Sequence, residues 1–139
     1  MIGKTKVADY KTRVDRGFPL GQQQLWDFIL SAEANGFITG NDTCGVSASV
    51  GDWCEGEIVS YRVTTLVEGK ELRMKWKRAL WPDFTTVILK VMAKAKGQST
   101  IEIAHEGLFD QVMTIQMKEY WEDALKKLEI LAIAAQYDF

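Results

Sequence analysis

The sequence predicts an α+β protein in which a curved antiparallel sheet of about six strands wraps around one long C-terminal helix. Three observations lead there. Asp110 to Gln136 contains no Gly or Pro and repeats apolar residues every three or four positions, the period of a helix with one apolar face. From Thr43 to His105 the period is two, and the turns between runs are short enough to force antiparallel pairing. The runs carry apolar residues on one parity and Lys, Arg, Glu and Ser on the other, so the sheet needs a cover on one face only.

Each element has its own signal. Lys4 to Val14 alternates, with Ala8, Tyr10, Thr12 and Val14 on one parity, and reads as an edge strand. Gly17, Pro19 and Gly21 break the chain after it. Gln22 to Leu30 places Leu25, Trp26, Phe28 and Ile29 as the apolar members of a short helix. A second short helix is expected around Ala32 to Phe37, ahead of the turn residues Gly40, Asn41 and Asp42. Thr43 to Val50 opens the meander, with Cys44, Val46, Ala48 and Val50 on one face, and Gly51-Asp52 turns just before Trp53 and Cys54. Glu57 to Leu66 follows, with Val59, Tyr61 and Val63 together; then Glu71 to Ala79, where Leu72, Met74 and Trp76 oppose Arg73, Lys75 and Lys77. Past the break at Trp81-Pro82-Asp83, Thr85 to Lys96 puts Val87, Leu89, Val91 and Ala93 on one face, with Ile88 and Met92 as exceptions. Ser99 to His105 closes the sheet, with Ile101, Ile103 and His105 on one parity.

The long helix is expected from about Asp110 to Ala135. Asp110 suits the N-cap, because its carboxylate accepts from free amides of the first turn. Met113, Met117, Tyr120, Trp121, Ala124, Leu125, Leu128 and Leu131 form the apolar face. Glu122 with Lys126 and Asp123 with Lys127 are expected ion pairs four residues apart on the wet face.

Composition narrows the function. The 139 residues suggest one domain spanning 1–139, and 47% hydrophobic with 26% charged residues is an ordinary globular balance. A net charge of -2 argues against a nucleic-acid partner. The basic residues Arg73, Lys75, Lys77 and Arg78 read as a solvated outer strand face. There is no apolar h-region at the N-terminus and no apolar run long enough to span a membrane, so a cytoplasmic location without membrane attachment is expected. Cys44 and Cys54 read as two free thiols, with a cross-strand disulfide as the alternative if a hairpin brings them together.

No site for ordinary catalysis stands out. His105 is the sole histidine, so any His-based acid–base scheme must pass through it. It is either a polar group facing an apolar pocket or a hydrogen-bonded structural residue near the strand end. No zinc, calcium or phosphate-cradling motif is present, so neither metal nor cofactor is expected. The richer signal is aromatic and sulfur-bearing: Tyr61, Met74, Trp76, Met113, Met117 and Trp121 all fall on inward faces, which suits either core packing or an adaptable apolar pocket. Trp53 and Trp81, near turns, either rim an opening or cover the core.

The order of motifs resembles a known superfamily. Val14 leading into Leu25-Trp26-Asp27-Phe28, Gly56-Glu57-Ile58-Val59, Leu72 to Trp76, and Trp81-Pro82 with Thr85-Thr86-Val87 resemble the START-like (SRPBCC), Bet v 1-like helix-grip superfamily. Ile103-Ala104-His105-Glu106-Gly107-Leu108, Tyr120-Trp121 and Leu125-Lys126-Lys127-Leu128 resemble its last strand and helix, in the branch related to the Hsp90 ATPase activator. The resemblance runs from about Lys4 to Leu131 and is better in the second half. Phe37 stands where that branch often has a Trp on its second short helix. The resemblance implies a cavity between sheet and helix, here lined by Tyr61, Met74, Trp76, Val87, Leu89, Ile103, His105, Met113, Met117 and Trp121. With the single His and the absent metal and nucleotide motifs, the expectation is a hydrophobic small-molecule ligand bound there without catalysis. The alternatives are a co-chaperone-like role with a chaperone partner and an enzyme that uses His105 in the cavity. A monomer and a homodimer both fit, the apolar stretch Ile130 to Phe139 being free to cover a second subunit.

Overall fold

The computed structural model describes residues 10–31, 53–55 and 59–136. Six strands, β1 (Tyr10–Phe18), β2 (Trp53–Glu55), β3 (Val59–Val67), β4 (Glu71–Arg78), β5 (Thr85–Ala95) and β6 (Gln98–Leu108), form one sheet in the order β1-β6-β5-β4-β3-β2. Every pairing is antiparallel. Helix α1 (Gln22–Ile29) follows β1, and α2 (Gln111–Gln136) closes the described chain.

The period-two runs become strands because one parity is buried. Val59, Tyr61 and Val63 of β3, Leu72, Met74 and Trp76 of β4, Val87, Leu89 and Val91 of β5, and Ile101 and Ile103 of β6 all belong to one core. On α2 the same core takes Met113, Met117, Trp121, Ala124, Leu125, Leu128 and Ala132. Tyr120 and Leu131, expected on that face, are only half-buried, and Ala132 takes the last core position. The helix starts as its cap dictates: the Met113 amide donates to the Asp110 carboxylate at 2.8 Å. Asp123 and Lys127 pair at 3.0 Å, but Glu122 pairs backward with Lys118 at 3.7 Å and not with Lys126. Both acceptor choices lie one turn away on the same exposed face, so little energy separates them.

Three expectations change at the first strand and the hairpins. β1, described from Tyr10, runs through Gly17 to Phe18, so Gly17 is inside the strand and not a break, while the expected start from Lys4 to Asp9 lies outside the described residues. Its core residues are Val14 and Phe18, while Tyr10 is 44% exposed. Trp53 and Cys54, read as lying past a turn, form β2 against β3. The last strand extends to Leu108, three residues beyond His105. That extension needs a bulge: Tyr10 pairs with Leu108 and Lys11 with Glu106, leaving Gly107 as the extra residue. Gly107 has φ 79°, a conformation glycine adopts without strain, and the inserted residue lets Leu108 join His105 on the core side. The strand expected at Thr43 to Val50, the helix expected at Ala32 to Phe37, and Cys44 lie outside the described residues, as do Asn41, Asp42 and Asp52.

The helix does not lie evenly over the sheet. Its backbone comes closest to β1 and β6, where Arg16 of β1 also donates to Glu129 of α2 at 2.7 Å. Helix α1 covers β5 and β6 with Leu25, Trp26 and Ile29. Toward β4, contact with α2 is made by large rings reaching across, Trp121 and Tyr120 against Trp76. This splayed side holds the site described next.

Candidate functional site

Four elements meet around His105. The Thr85 hydroxyl on β5 donates to the Trp76 carbonyl on β4 at 2.6 Å. Having one hydrogen, it can then only accept from His105 Nε2, at 2.7 Å. The Trp121 indole N–H on α2 donates to His105 Nδ1 at 3.0 Å. Indole nitrogen is a donor only, so Nδ1 must be bare and Nε2 must carry the proton. The chain of bonds therefore runs one way, from Trp121 through His105 and Thr85 to Trp76, and ties α2 to three adjacent strands.

The bonds also set the charge. Burial, and then the nearby positive charge of Arg78, push the His105 pKa down from 6.5 to about 3. An imidazole with both nitrogens engaged and a pKa far below neutrality neither takes nor gives a proton near pH 7. His105 is hydrogen-bonded, with Thr85 and Trp121 as its partners and not the Glu106-Gly107 turn.

Around it is a cluster of rings. Trp76 lies at its centre, with ring centroids 5.2 Å from His105, 5.4 Å from Trp121, 5.6 Å from Trp81 and 6.1 Å from Tyr120. Trp81 also meets His105 at 5.9 Å and Phe109 at 6.5 Å, so this tryptophan covers the cluster from the β4–β5 turn. Tyr61 stands directly opposite Trp76 on β3. Trp76 is 0% exposed, yet its indole Nε1 has no hydrogen-bond partner among the described residues. Such groups are uncommon, because a buried donor left unpaired costs about 1–3 kcal/mol.

All the side chains expected to line a cavity are brought into this one core: Tyr61, Met74, Trp76, Val87, Leu89, Ile103, His105, Met113, Met117 and Trp121. All are buried, Met113 being the most exposed at 9%. Four participants were not singled out from the sequence as part of this site. Thr85 shares the parity of Val87 and Leu89, and Tyr120 neighbours Trp121, so both had a signal; Phe109 had none. Arg78 was grouped with the outer basic row, but it shares the parity of Trp76. It lies at the inner end of β4, with its guanidinium 5.0 Å from the centre of the Tyr120 ring. Arg73, Lys75 and Lys77 keep to the other parity. Among the described residues, no group of three or more His, Cys, Asp or Glu is placed to hold a metal ion. No helix among them is long and apolar enough to cross a membrane.

Residues 23–132, from α1 to near the end of α2, match the family described as Activator of Hsp90 ATPase homolog 1-like protein. The chain belongs to that family. Solved structures place it in the helix-grip fold. An HSP90 activator from Plasmodium falciparum superposes with a TM-score of 0.74 at 14% identity, covering 87% of this chain and 94% of that one. A protein from Mesorhizobium loti gives 0.76 at 16% identity, covering 94% and 100%. The Aha1 dimer from Colwellia psychrerythraea gives 0.66 at 14% identity, covering 86% and 93%. At these identities the likeness concerns the fold. No curated protein matches the sequence.

Proposed function

We propose that this member of the family binds an apolar small molecule carrying one hydrogen-bond acceptor. The site is the region between the inner face of β3–β4 and the first half of α2. The observation that carries the reading is the Trp76 indole N–H, buried at the centre of the ring cluster and unpaired. A ligand acceptor placed against it would recover the cost of that orphan donor, while the apolar remainder of the ligand gains about 25 cal/mol per Å² buried. The walls are buried, and binding is expected to shift side chains. Met74, Met113 and Met117 are suited to this, because unbranched thioethers repack with little strain. His105 serves as wall and not as anchor, both its nitrogens being engaged.

The test is a thermal-shift and tryptophan-fluorescence screen of fatty acids, sterols, aromatics and polyketides. A true ligand adds about 2.7 kcal/mol of stability at a hundredfold excess over its Kd, and it quenches tryptophan emission. Trp76→Phe removes the donor and should weaken ligands with an acceptor more than pure hydrocarbons. A broad screen without any shift would overturn the reading.

A second reading, recognition of a chaperone, is favoured by the outer face of β3–β4. Arg62 stands directly opposite Lys75, with Arg73 and Lys77 on the same side. Like charges facing across strands cost roughly 0.2–1 kcal/mol. Among the described residues the acid paired with this row is Glu71, at 3.2 Å from Arg73. An acidic partner surface would remove that cost. Stimulation of an Hsp90 ATPase that falls when Lys75 and Lys77 are both changed to Gln would support it; wild-type protein without effect on the ATPase would rule it out.

A further inference from the structure

The end of β4 carries a charge that no acid among the described residues answers. Arg78 is half-buried on the inner side of the sheet, two residues beyond Trp76. Its guanidinium stacks on Tyr120, which in turn packs against Trp76 and Trp121. No acid pairs with Arg78 among the described residues. The neighbouring cation, Lys77, points elsewhere, its ammonium donating to the Trp81 carbonyl at 3.1 Å and lying 5.6 Å over Phe84. Among the described residues, a guanidinium and a buried indole N–H without partners therefore belong to residues on the same side of one strand, their Cα atoms about 7 Å apart.

We infer that the ligand is an apolar monocarboxylate whose head is held between Arg78 and Trp76 and whose hydrocarbon body extends toward Met117. This rests on the ligand-binding reading above. A planar carboxylate has two oxygens. One can pair with the guanidinium fork, the geometry arginine is built to recognise, and the other can accept from the indole. The charge count selects one negative charge. A dianionic phosphate would leave one charge unbalanced among aromatic rings, a costly arrangement away from water. The positive charge of Arg78 is felt inside the cluster, since it helps keep His105 neutral and opposes the upward shift that burial imposes on the Tyr120 hydroxyl.

The experiment compares 1-naphthaleneacetate with 1-naphthaleneacetamide, which match in shape and differ in charge, by calorimetry on the full chain. The wild type should bind the acid about tenfold more tightly or better, a ratio that shrinks as salt is raised. Arg78→Gln should abolish the ratio while leaving amide affinity within about twofold, and Arg78→Lys should restore part of it. Equal affinity for acid and amide in the wild type overturns the head-group assignment and leaves the pocket reading standing. Binding of neither probe, together with no response to a fatty-acid series, overturns both. The wild-type ratio decides the matter even if the Arg78 variants fold poorly.

Discussion

His105 shows how one buried side chain can couple stability to pH. In the fold its pKa is about 3, against 6.5 for a free histidine. The unfolded chain therefore binds more protons between those two values. Stability is fully present above pH 6.5 and falls as pH drops, approaching ~1.4 kcal/mol per pH unit. Carboxylates add their own slope below about pH 5. The window from pH 6.5 to about 5 thus isolates His105, the sole histidine of the chain. Denaturant unfolding across that window should show the slope in the wild type and lose it in His105→Phe, whatever the absolute stability of the variant. Thr85→Val tests the direction of the bonds. It keeps the volume but strips the acceptor from His105 Nε2 and the donor from the Trp76 carbonyl, and should cost about 1–3 kcal/mol in the same assay.

At the scale of elements, α2 and the β6 bulge bear the most weight. Leu125 and Leu128 are buried where the helix comes closest to β1 and β6. Truncating either to Ala should cost about 2–5 kcal/mol by denaturant titration, with the transition remaining cooperative. Asp110→Ala removes the cap bond to Met113 and should cost about 1 kcal/mol. Gly107 is the more specific case. A Cβ there would meet its nearest neighbour, the Thr85 backbone, at an unstrained 3.9 Å, so space is not the obstacle. The obstacle is φ 79°, which costs an L-residue roughly 1–2 kcal/mol. Gly107→Ala should therefore destabilise by about that amount, and Gly107→Asn by less. Equal losses in both would point to a steric cause instead. The bulge brings Leu108 back to the core side, whereas His105 faces inward on the parity of Ile101 and Ile103.

For the whole molecule, the uneven seat of the helix matters most. Where backbones approach closely, small and aliphatic residues fill the interface; where they diverge, tryptophans, tyrosine and methionines span the distance. The second region is where the proposed ligand would enter, because large flexible side chains yield more readily than close-packed backbone. Met117→Ala should lower stability of the free protein by about 2–5 kcal/mol. A bulky ligand that refills the vacated volume should then raise the melting temperature of this variant more than that of the wild type. If the two respond equally, Met117 does not line the site.

Much of this was legible in the residues. The period-two runs, the 3.6-period helix and the Asp110 cap depend on neighbours within a few positions, so local chemistry alone determined them. The inward parity of Trp76, Met74 and Trp121 followed from the same patterns. The fold class was legible too, because an apolar sheet face and an apolar helix face of similar length leave few ways to cover each other. Only the tertiary structure decided what His105 does. Its partners Thr85 and Trp121 lie 20 and 16 residues away, and its neutrality comes from burial that no local pattern encodes. The same holds for Arg78. A run of basic residues looks uniform in sequence, but its last member turns inward, and the rings around it make its charge count. Periodicity reports which face a residue is on; hydrogen-bond direction and desolvation depend on the groups that distant segments bring against it.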